Sequence, residues 1–73
     1  MDFERLEYLT VSGFYHIEKA VVGTGYLPKT VRGVATFLLD NEGDLDLLTS
    51  RQRGTYDRFL KPLMDDEKLR NRY

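Results

Sequence analysis

The chain of 73 residues is predicted to form one small, mostly α domain of three helices. Two segments carry apolar residues at the three- and four-residue spacing of an amphipathic helix. Residue types that start and stop helices stand at the ends of these segments. The chain contains no cysteine, so the stability of a domain this short must come from well-packed helices, from self-association or from a partner. We assign the domain to residues 1–64 and a polar C-terminal tail to residues 65–73.

The central helix is predicted at residues 28–40. Pro28 suits its first position, because the N–H that proline lacks would have no partner there. Apolar residues then recur on one face at Val31, Val34, Ala35 and Leu38. After Asp40 the chain reads Asn41-Glu42-Gly43, and asparagine and glycine tolerate the left-handed backbone that ends many helices.

Another helix is predicted at residues 50–61. Thr49 and Gln52 have the spacing of a capping box, in which each side chain binds the backbone N–H of the other residue. The apolar residues that follow have helical spacing: Tyr56, Phe59, Leu60, Leu63 and Met64. Pro62 removes one backbone donor and crowds the carbonyl of Arg58, so a kink or an end is expected near Lys61.

The first 22 residues allow two interpretations. One long helix is predicted by residues that recur in steps of three and four: Phe3, Leu6, Thr10, Gly13, Ile17 and Ala20. The stretch from Tyr8 to Ile17 is rich in β-branched, aromatic and turn-forming residues, which favour strands. Ser12-Gly13 could turn a β-hairpin within residues 7–22. We favour the helix and keep an α+β fold, with this hairpin packed on two helices, as the alternative.

The packed core is expected to combine apolar residues of all three helices. Its predicted members are Leu6, Phe14, Ile17, Val21, Val31, Val34, Ala35, Leu38, Tyr56, Phe59, Leu60 and Leu63. A chain of this size buries only about 60% of the surface that it exposes when unfolded, so its stability margin is thin. Anything that binds only the folded state would add to that stability.

Residues 23–30, GTGYLPKT, differ from a phosphate-binding loop at one position. That loop needs glycine where Pro28 stands, because backbone N–H groups must point at the phosphate. Proline has no N–H to offer. The segment is therefore predicted to connect two elements and to start the central helix.

No metal site, cofactor or enzymatic activity is expected. A calcium loop counted from Asp40 would need glycine at its sixth position and glutamate at its twelfth, where this chain has Leu45 and Arg51. His16 is the only histidine, and without cysteine the chain offers few nucleophile–base pairs or metal ligands. The sequence also shows no signal peptide and no apolar run of about 18 residues, so we expect a cytoplasmic protein without a membrane span.

With these chemistries set aside, we predict a small protein–protein interaction or regulatory module. The chain has five tyrosines and four phenylalanines, and tyrosine and arginine are enriched in binding hot spots. The predicted contact residues are Tyr8, Tyr15, Tyr26, Arg51 and Arg58. The partner is expected to be another protein or a second copy of the chain, with the segment around Pro62 as one interface for self-association.

Nucleic-acid binding is the alternative function. The helix predicted at residues 50–61 carries a basic face, and the exposed Gly54 within it would let a phosphate backbone approach closely. The expected phosphate contacts are Lys29, Arg32, Arg51, Arg53, Arg58 and Lys61. The net charge of −1 and the four acids between Asp40 and Asp46 place this function second to protein binding.

Overall fold

The computed structural model describes residues 1–69, which form four packed α-helices. Helix α1 spans Phe3–Thr10, α2 spans Phe14–Val21 and α3 spans Pro28–Asp40. Residues 1–69 contain no β-strand. The mostly α fold class is therefore confirmed, and the alternative hairpin within residues 7–22 is wrong.

Helix α4 consists of three consecutive segments, Ser50–Thr55, Tyr56–Leu60 and Lys61–Met64, of which the middle one is a π-helical turn. The predicted capping box starts it: the N–H of Gln52 donates to Thr49 Oγ1 at 3.1 Å, and the N–H of Thr49 donates to Gln52 Oε1 at 2.9 Å. Two short 3-10 turns flank this helix in the chain, at Leu45–Leu47 and Glu67–Leu69.

Helix α3 lies at the centre and packs against the other three helices. Its buried face consists of Val31, Val34, Ala35 and Leu38. The predicted bounds are confirmed. Leu27 has extended backbone (φ −90°, ψ 137°), as a residue before proline should, and Pro28 is the first helical residue. At the other end, the side-chain amide of Asn41 donates to the carbonyl of Phe37 at 2.8 Å.

The core contains residues of all four helices together with Leu69. Among its predicted members, Phe14 and Leu63 are only partly buried, and the others are buried. Leu9 and Leu69 are buried as well, although the sequence did not single them out. Leu69 belongs to the segment predicted to be a polar tail, and residues 70–73 of that tail lie outside the described residues.

The single N-terminal helix predicted across residues 3–20 is wrong, because the chain breaks between α1 and α2. Val11 has φ −122° and ψ −97°, which is outside the helical region. The N–H of Gly13 donates to the carbonyl of Tyr8 at 2.7 Å, and α2 starts at the next residue. The helical spacing of apolar residues continues across the break because α1 and α2 both pack against α3.

The ring of Tyr8 lies against Gly13 at this corner. A Cβ atom at residue 13 would lie 2.6 Å from Cδ2 and Cζ of Tyr8. Carbon atoms in contact are normally about 3.5–4.0 Å apart, so glycine is the residue that lets the ring lie here.

The π-helical turn keeps one face of α4 directed at the core. The side chains on that face repeat at intervals of four: Thr55, Phe59 and Leu63, and Tyr56, Leu60 and Met64. An α-helix has 3.6 residues per turn, so a stripe with four-residue steps drifts by about 40° at each step. The wider turn offsets this drift. Helix α4 passes through Pro62 and ends at Met64, so of the two predicted outcomes, a kink or an end near Lys61, the end is wrong. The helix is irregular directly before Lys61, where the π-helical turn Tyr56–Leu60 stops.

Arg5 is a buried charged residue, and no pattern in the sequence predicts its place in the interior. Its side chain is 6% exposed, and its guanidinium donates to the carbonyl of Met64 at the end of α4. The last carbonyls of a helix have no partner within the helix, and the helix dipole favours a cation beside them. Arg5 therefore joins α1 to the end of α4.

Candidate functional site

The connection from α2 to α3, residues 22–27, is held in shape by its own hydrogen bonds. Gly23 and Gly25 have φ of +77° and +82°, which glycine adopts without strain. The hydroxyl of Thr24 donates to the carbonyl of Val21 at 2.7 Å and accepts the N–H of Tyr26 at 3.1 Å. The stretch GTGYLPKT thus connects two helices, as its sequence predicts.

This connection presents apolar side chains to solvent. Val22 is 77% exposed, Leu27 is 65% exposed and Tyr26 is 38% exposed. Leu27 stands outside α3 because the proline after it favours an extended backbone, so its side chain is not part of the buried face of that helix. Neighbouring exposed apolar side chains are typical of surfaces that bind a partner.

An open groove lies between this connection and the first half of α4. Its volume is about 470 Å³, which falls in the range of about 300–1,000 Å³ that ligand-binding clefts occupy. We call it the Tyr26 groove; its lining residues are Thr24, Gly25, Tyr26, Leu27, Thr30, Arg51 and Thr55.

Tyr26 is held in place by the buried side chain of Phe59. The two rings meet edge to face, with centroids 4.8 Å apart and an interplanar angle of 65°. The guanidinium carbon of Arg58 lies 5.2 Å from the Tyr26 centroid and 5.1 Å from the Phe59 centroid. Both distances allow cation–π attraction. An aromatic anchor and an arginine are therefore already oriented at the edge of the groove.

The charges at the groove are positive. Arg51 lines it, Arg58 lies over Tyr26, and both are exposed. Within residues 1–69, neither arginine forms an ion pair with an acidic side chain. Three of the five residues predicted for protein binding, Tyr26, Arg51 and Arg58, thus come together at one surface.

Tyr8 and Tyr15, the other two predicted contacts, belong to a different cluster on α1 and α2. The Tyr8 hydroxyl lies 3.3 Å from the Tyr15 hydroxyl and 3.3 Å from Nε2 of His16. The rings of Tyr15 and His16 have centroids 4.1 Å apart. These contacts link the two helices across their corner, so the predicted set of five residues divides into two groups.

The six cations proposed for nucleic-acid binding do not form one continuous row. Arg53 pairs with Asp57 at 3.3 Å on the exposed side of α4. The π-helical turn adds a residue to one turn of α4, which rotates Lys61 by roughly 100° about the axis relative to an uninterrupted helix. On α3, the guanidinium carbon of Arg32 lies 4.1 Å from the Phe14 centroid, and Lys29 is exposed in the first turn.

A second groove, of about 460 Å³, lies on the other side of the first half of α4. Its lining residues are Leu45, Asp46, Leu48, Ser50, Arg53, Gly54 and Asp57. Its arginine is neutralised by Asp57, and it has no aromatic side chain in its lining. The Tyr26 groove therefore has the chemistry that hot spots favour.

Five of the seven lining residues are not among the predicted contacts: Thr24, Gly25, Leu27, Thr30 and Thr55. Leu27 carried a usable signal, because a large apolar residue directly before a helix-starting proline is held outside the helix. Thr24, Gly25 and Thr30 belong to the stretch GTGYLPKT, whose sequence predicts only a connection and the start of a helix. Thr55 carried no signal, since it reaches the groove only when α3 and α4 pack together.

Residues 1–69 contain no group of three His, Asp or Glu side chains that could hold a metal ion. None of the helices in that same range is long and apolar enough to cross a bilayer.

Comparison with family models, curated proteins and solved structures found no match to this chain.

Proposed function

We propose that this protein is a small, non-enzymatic interaction module whose Tyr26 groove binds a segment of a partner protein. It acts by binding to that partner and covering part of the partner's surface. The observation that carries the proposal is the combination of exposed Tyr26 and Leu27 with Arg51 and Arg58, two arginines without an acidic partner in residues 1–69.

The lining of the groove supports an expectation about the chemistry of its partner. Leu27 and Tyr26 offer apolar surface that an aromatic or aliphatic side chain would cover. Arg51 and Arg58 offer planar guanidinium groups, which bind carboxylates through paired hydrogen bonds. The expected partner segment therefore carries a large apolar side chain beside one or more carboxylates.

The groove is suited to binding because little of it must be ordered when the partner arrives. The Thr24 hydroxyl holds the connection, and Phe59 holds the ring of Tyr26. Immobilising a flexible side chain at an interface costs about 0.5–1.5 kcal/mol, and a surface that is already ordered avoids much of this cost.

The proposal is tested by titrating ¹⁵N-labelled protein with an acidic peptide that carries one phenylalanine between Asp and Glu residues. We expect amide shifts to change at residues 24–30 and 51–58. Arg58→Glu should weaken the binding at least tenfold, roughly the effect of reversing one charge at a polar contact. Lys61→Glu is the matched control, because it makes the same change of charge on the same helix but away from the groove.

A complementary experiment captures partners from a nuclease-treated lysate with wild-type protein, Tyr26→Ala and Tyr15→Ala. A protein retained by wild type and Tyr15→Ala but lost with Tyr26→Ala supports the groove as the binding surface. Equal peptide binding by wild type and Arg58→Glu would show that the proposal is wrong. Capture of nucleic acid alone, with affinity falling steeply as salt rises, would favour the alternative function.

A further inference from the structure

We propose that the segment bound by the Tyr26 groove is an acidic patch on a second copy of this chain, so that copies associate head to tail. The inference rests on the proposed function of the groove and names its partner. The acidic patch consists of Phe3, Glu4, Glu42, Gly43 and Asp44.

In the acidic patch an exposed aromatic ring lies against Gly43, and acidic residues are the chain neighbours of both Phe3 and Gly43. A Cβ atom added to Gly43 would lie 3.1 Å from Cε1 of Phe3, so the ring lies against the backbone of this glycine. Phe3 is nevertheless 44% exposed, and Glu4, Glu42 and Asp44 are all exposed. This is the chemistry expected of the groove's partner, an apolar side chain beside carboxylates.

The groove and the acidic patch lie at opposite ends of α3. The Tyr26 groove adjoins the start of the helix, whereas the N–H of Gly43 donates to the carbonyl of Leu38 near its end. The 13 residues of α3 span about 20 Å at 1.5 Å per residue. One molecule therefore cannot cover its own groove with its own patch, and the two surfaces can meet only between copies.

The charges on α3 itself favour the same arrangement. Lys29 lies in the first turn and Asp40 is the last residue, although the helix dipole favours the opposite signs at both ends. Each end would be stabilised by a neighbour of opposite charge. Head-to-tail association places the acidic end of one α3 near the basic end of the next.

The overall charge does not oppose such contacts. The net charge is −1, so two copies repel each other only weakly over long distances. When the groove of one copy binds the patch of another, an open assembly keeps one free groove at one end and one free patch at the other. Further copies can therefore add, unless the rotation between copies closes the assembly into a ring.

The experiment is sedimentation velocity of the purified full chain from micromolar to millimolar concentration, at low and at high salt. We expect the mean mass to rise with concentration beyond that of a dimer and to fall when salt is added, since exposed charges are screened. Arg58→Glu and Glu42→Lys should each remain monomeric. Lys61→Glu, which changes charge away from both surfaces, should assemble as wild type does.

A mixture of the two defective variants gives the most specific result. Arg58→Glu retains an intact acidic patch and Glu42→Lys retains an intact groove, so the mixture should form a one-to-one dimer and grow no further. Circular dichroism and thermal unfolding of each variant check that loss of assembly does not come from loss of folding.

A wild-type chain that stays monomeric at millimolar concentration would overturn the inference. Assembly of Arg58→Glu alone would do the same. If the chain is monomeric while its groove still binds the acidic peptide and Arg58→Glu does not, head-to-tail association is wrong and the proposed function stands. If neither the peptide nor a second copy binds, both are wrong.

Discussion

Gly13→Ala tests the corner between α1 and α2 most directly. The backbone at Gly13 has φ −95° and ψ 13°, a conformation that alanine can adopt, so the substitution causes no backbone strain. Its effect comes from the added methyl group, which would lie 2.6 Å from Cδ2 and Cζ of Tyr8. The ring must move away and give up its present contacts with Tyr15 and His16.

The expected loss of stability follows from two opposing terms. Adding a methyl group to an occupied site costs about 1–3 kcal/mol. Replacing glycine also removes conformational freedom from the unfolded chain, which stabilises the fold by about 0.4–1 kcal/mol. The difference is a loss of about 0–2.6 kcal/mol in the free energy of unfolding. For a domain of this size, each kcal/mol lost lowers the unfolding temperature by roughly 4–8 °C.

The sign of this change separates the structure from the alternative of one continuous helix. In the interior of a continuous helix, the same substitution would raise stability by about 0.5–1 kcal/mol. Urea unfolding followed by circular dichroism measures the difference, provided that the dependence on urea concentration is the same for both proteins.

A double-mutant cycle with Tyr8→Ala identifies the cause. Once the ring is absent, Gly13→Ala should be neutral or slightly stabilising, so the two substitutions should be coupled by more than about 1 kcal/mol. If Gly13→Ala stabilises the wild-type protein, or destabilises it equally when Tyr8 is absent, the described corner is incorrect.

Three further predictions concern stability. Leu9→Ala should lower the free energy of unfolding by about 2–5 kcal/mol, because Leu9 is fully buried. The control Val11→Ala, two residues away and exposed, should change the free energy of unfolding by less than about 0.5 kcal/mol. Equal effects of the two substitutions would contradict the described core. Gly33→Ala and Gly54→Ala should each raise the free energy of unfolding by about 0.5–1 kcal/mol, because both glycines lie within helices and an added Cβ atom would meet nothing within 4 Å. A lower free energy of unfolding in either variant would contradict the open space beside that glycine. Burial and the nearby Asp65 raise the pKa of Tyr56 above its ordinary value of 10.0. Above pH 10 the folded state therefore retains this proton more firmly than the unfolded state does, so the free energy of unfolding falls as the pH rises, until the folded pKa is passed. Tyr56→Phe should show a shallower loss between pH 10 and 11 in urea unfolding, and an unchanged loss would refute burial of the phenol.

Much of the candidate site was visible in the sequence only as a set of residue types. Tyrosine and arginine are common in binding surfaces, which predicts Tyr26, Arg51 and Arg58 as contacts, and the structure places these three residues together. Tyr8 and Tyr15 met the same criterion and lie in another cluster. Residue type indicates what a side chain can bind, whereas its neighbours depend on how helices distant in the chain pack against each other.

The sequence by itself determined the helical class and the local signals that begin and end α3 and α4. Pro28, the Thr49–Gln52 capping box and the spacing of apolar residues act within a few residues of one another, so they can be read without knowing the rest of the fold. Only the tertiary structure decided that the turn signal at Ser12-Gly13 separates two helices, and that Arg5 is buried. The two helices on either side of Gly13 both pack against α3, and the burial of Arg5 depends on the end of a helix 59 residues away in the chain. Each of these is a contact between segments, and the free energy of such a contact exists only when both segments are in place.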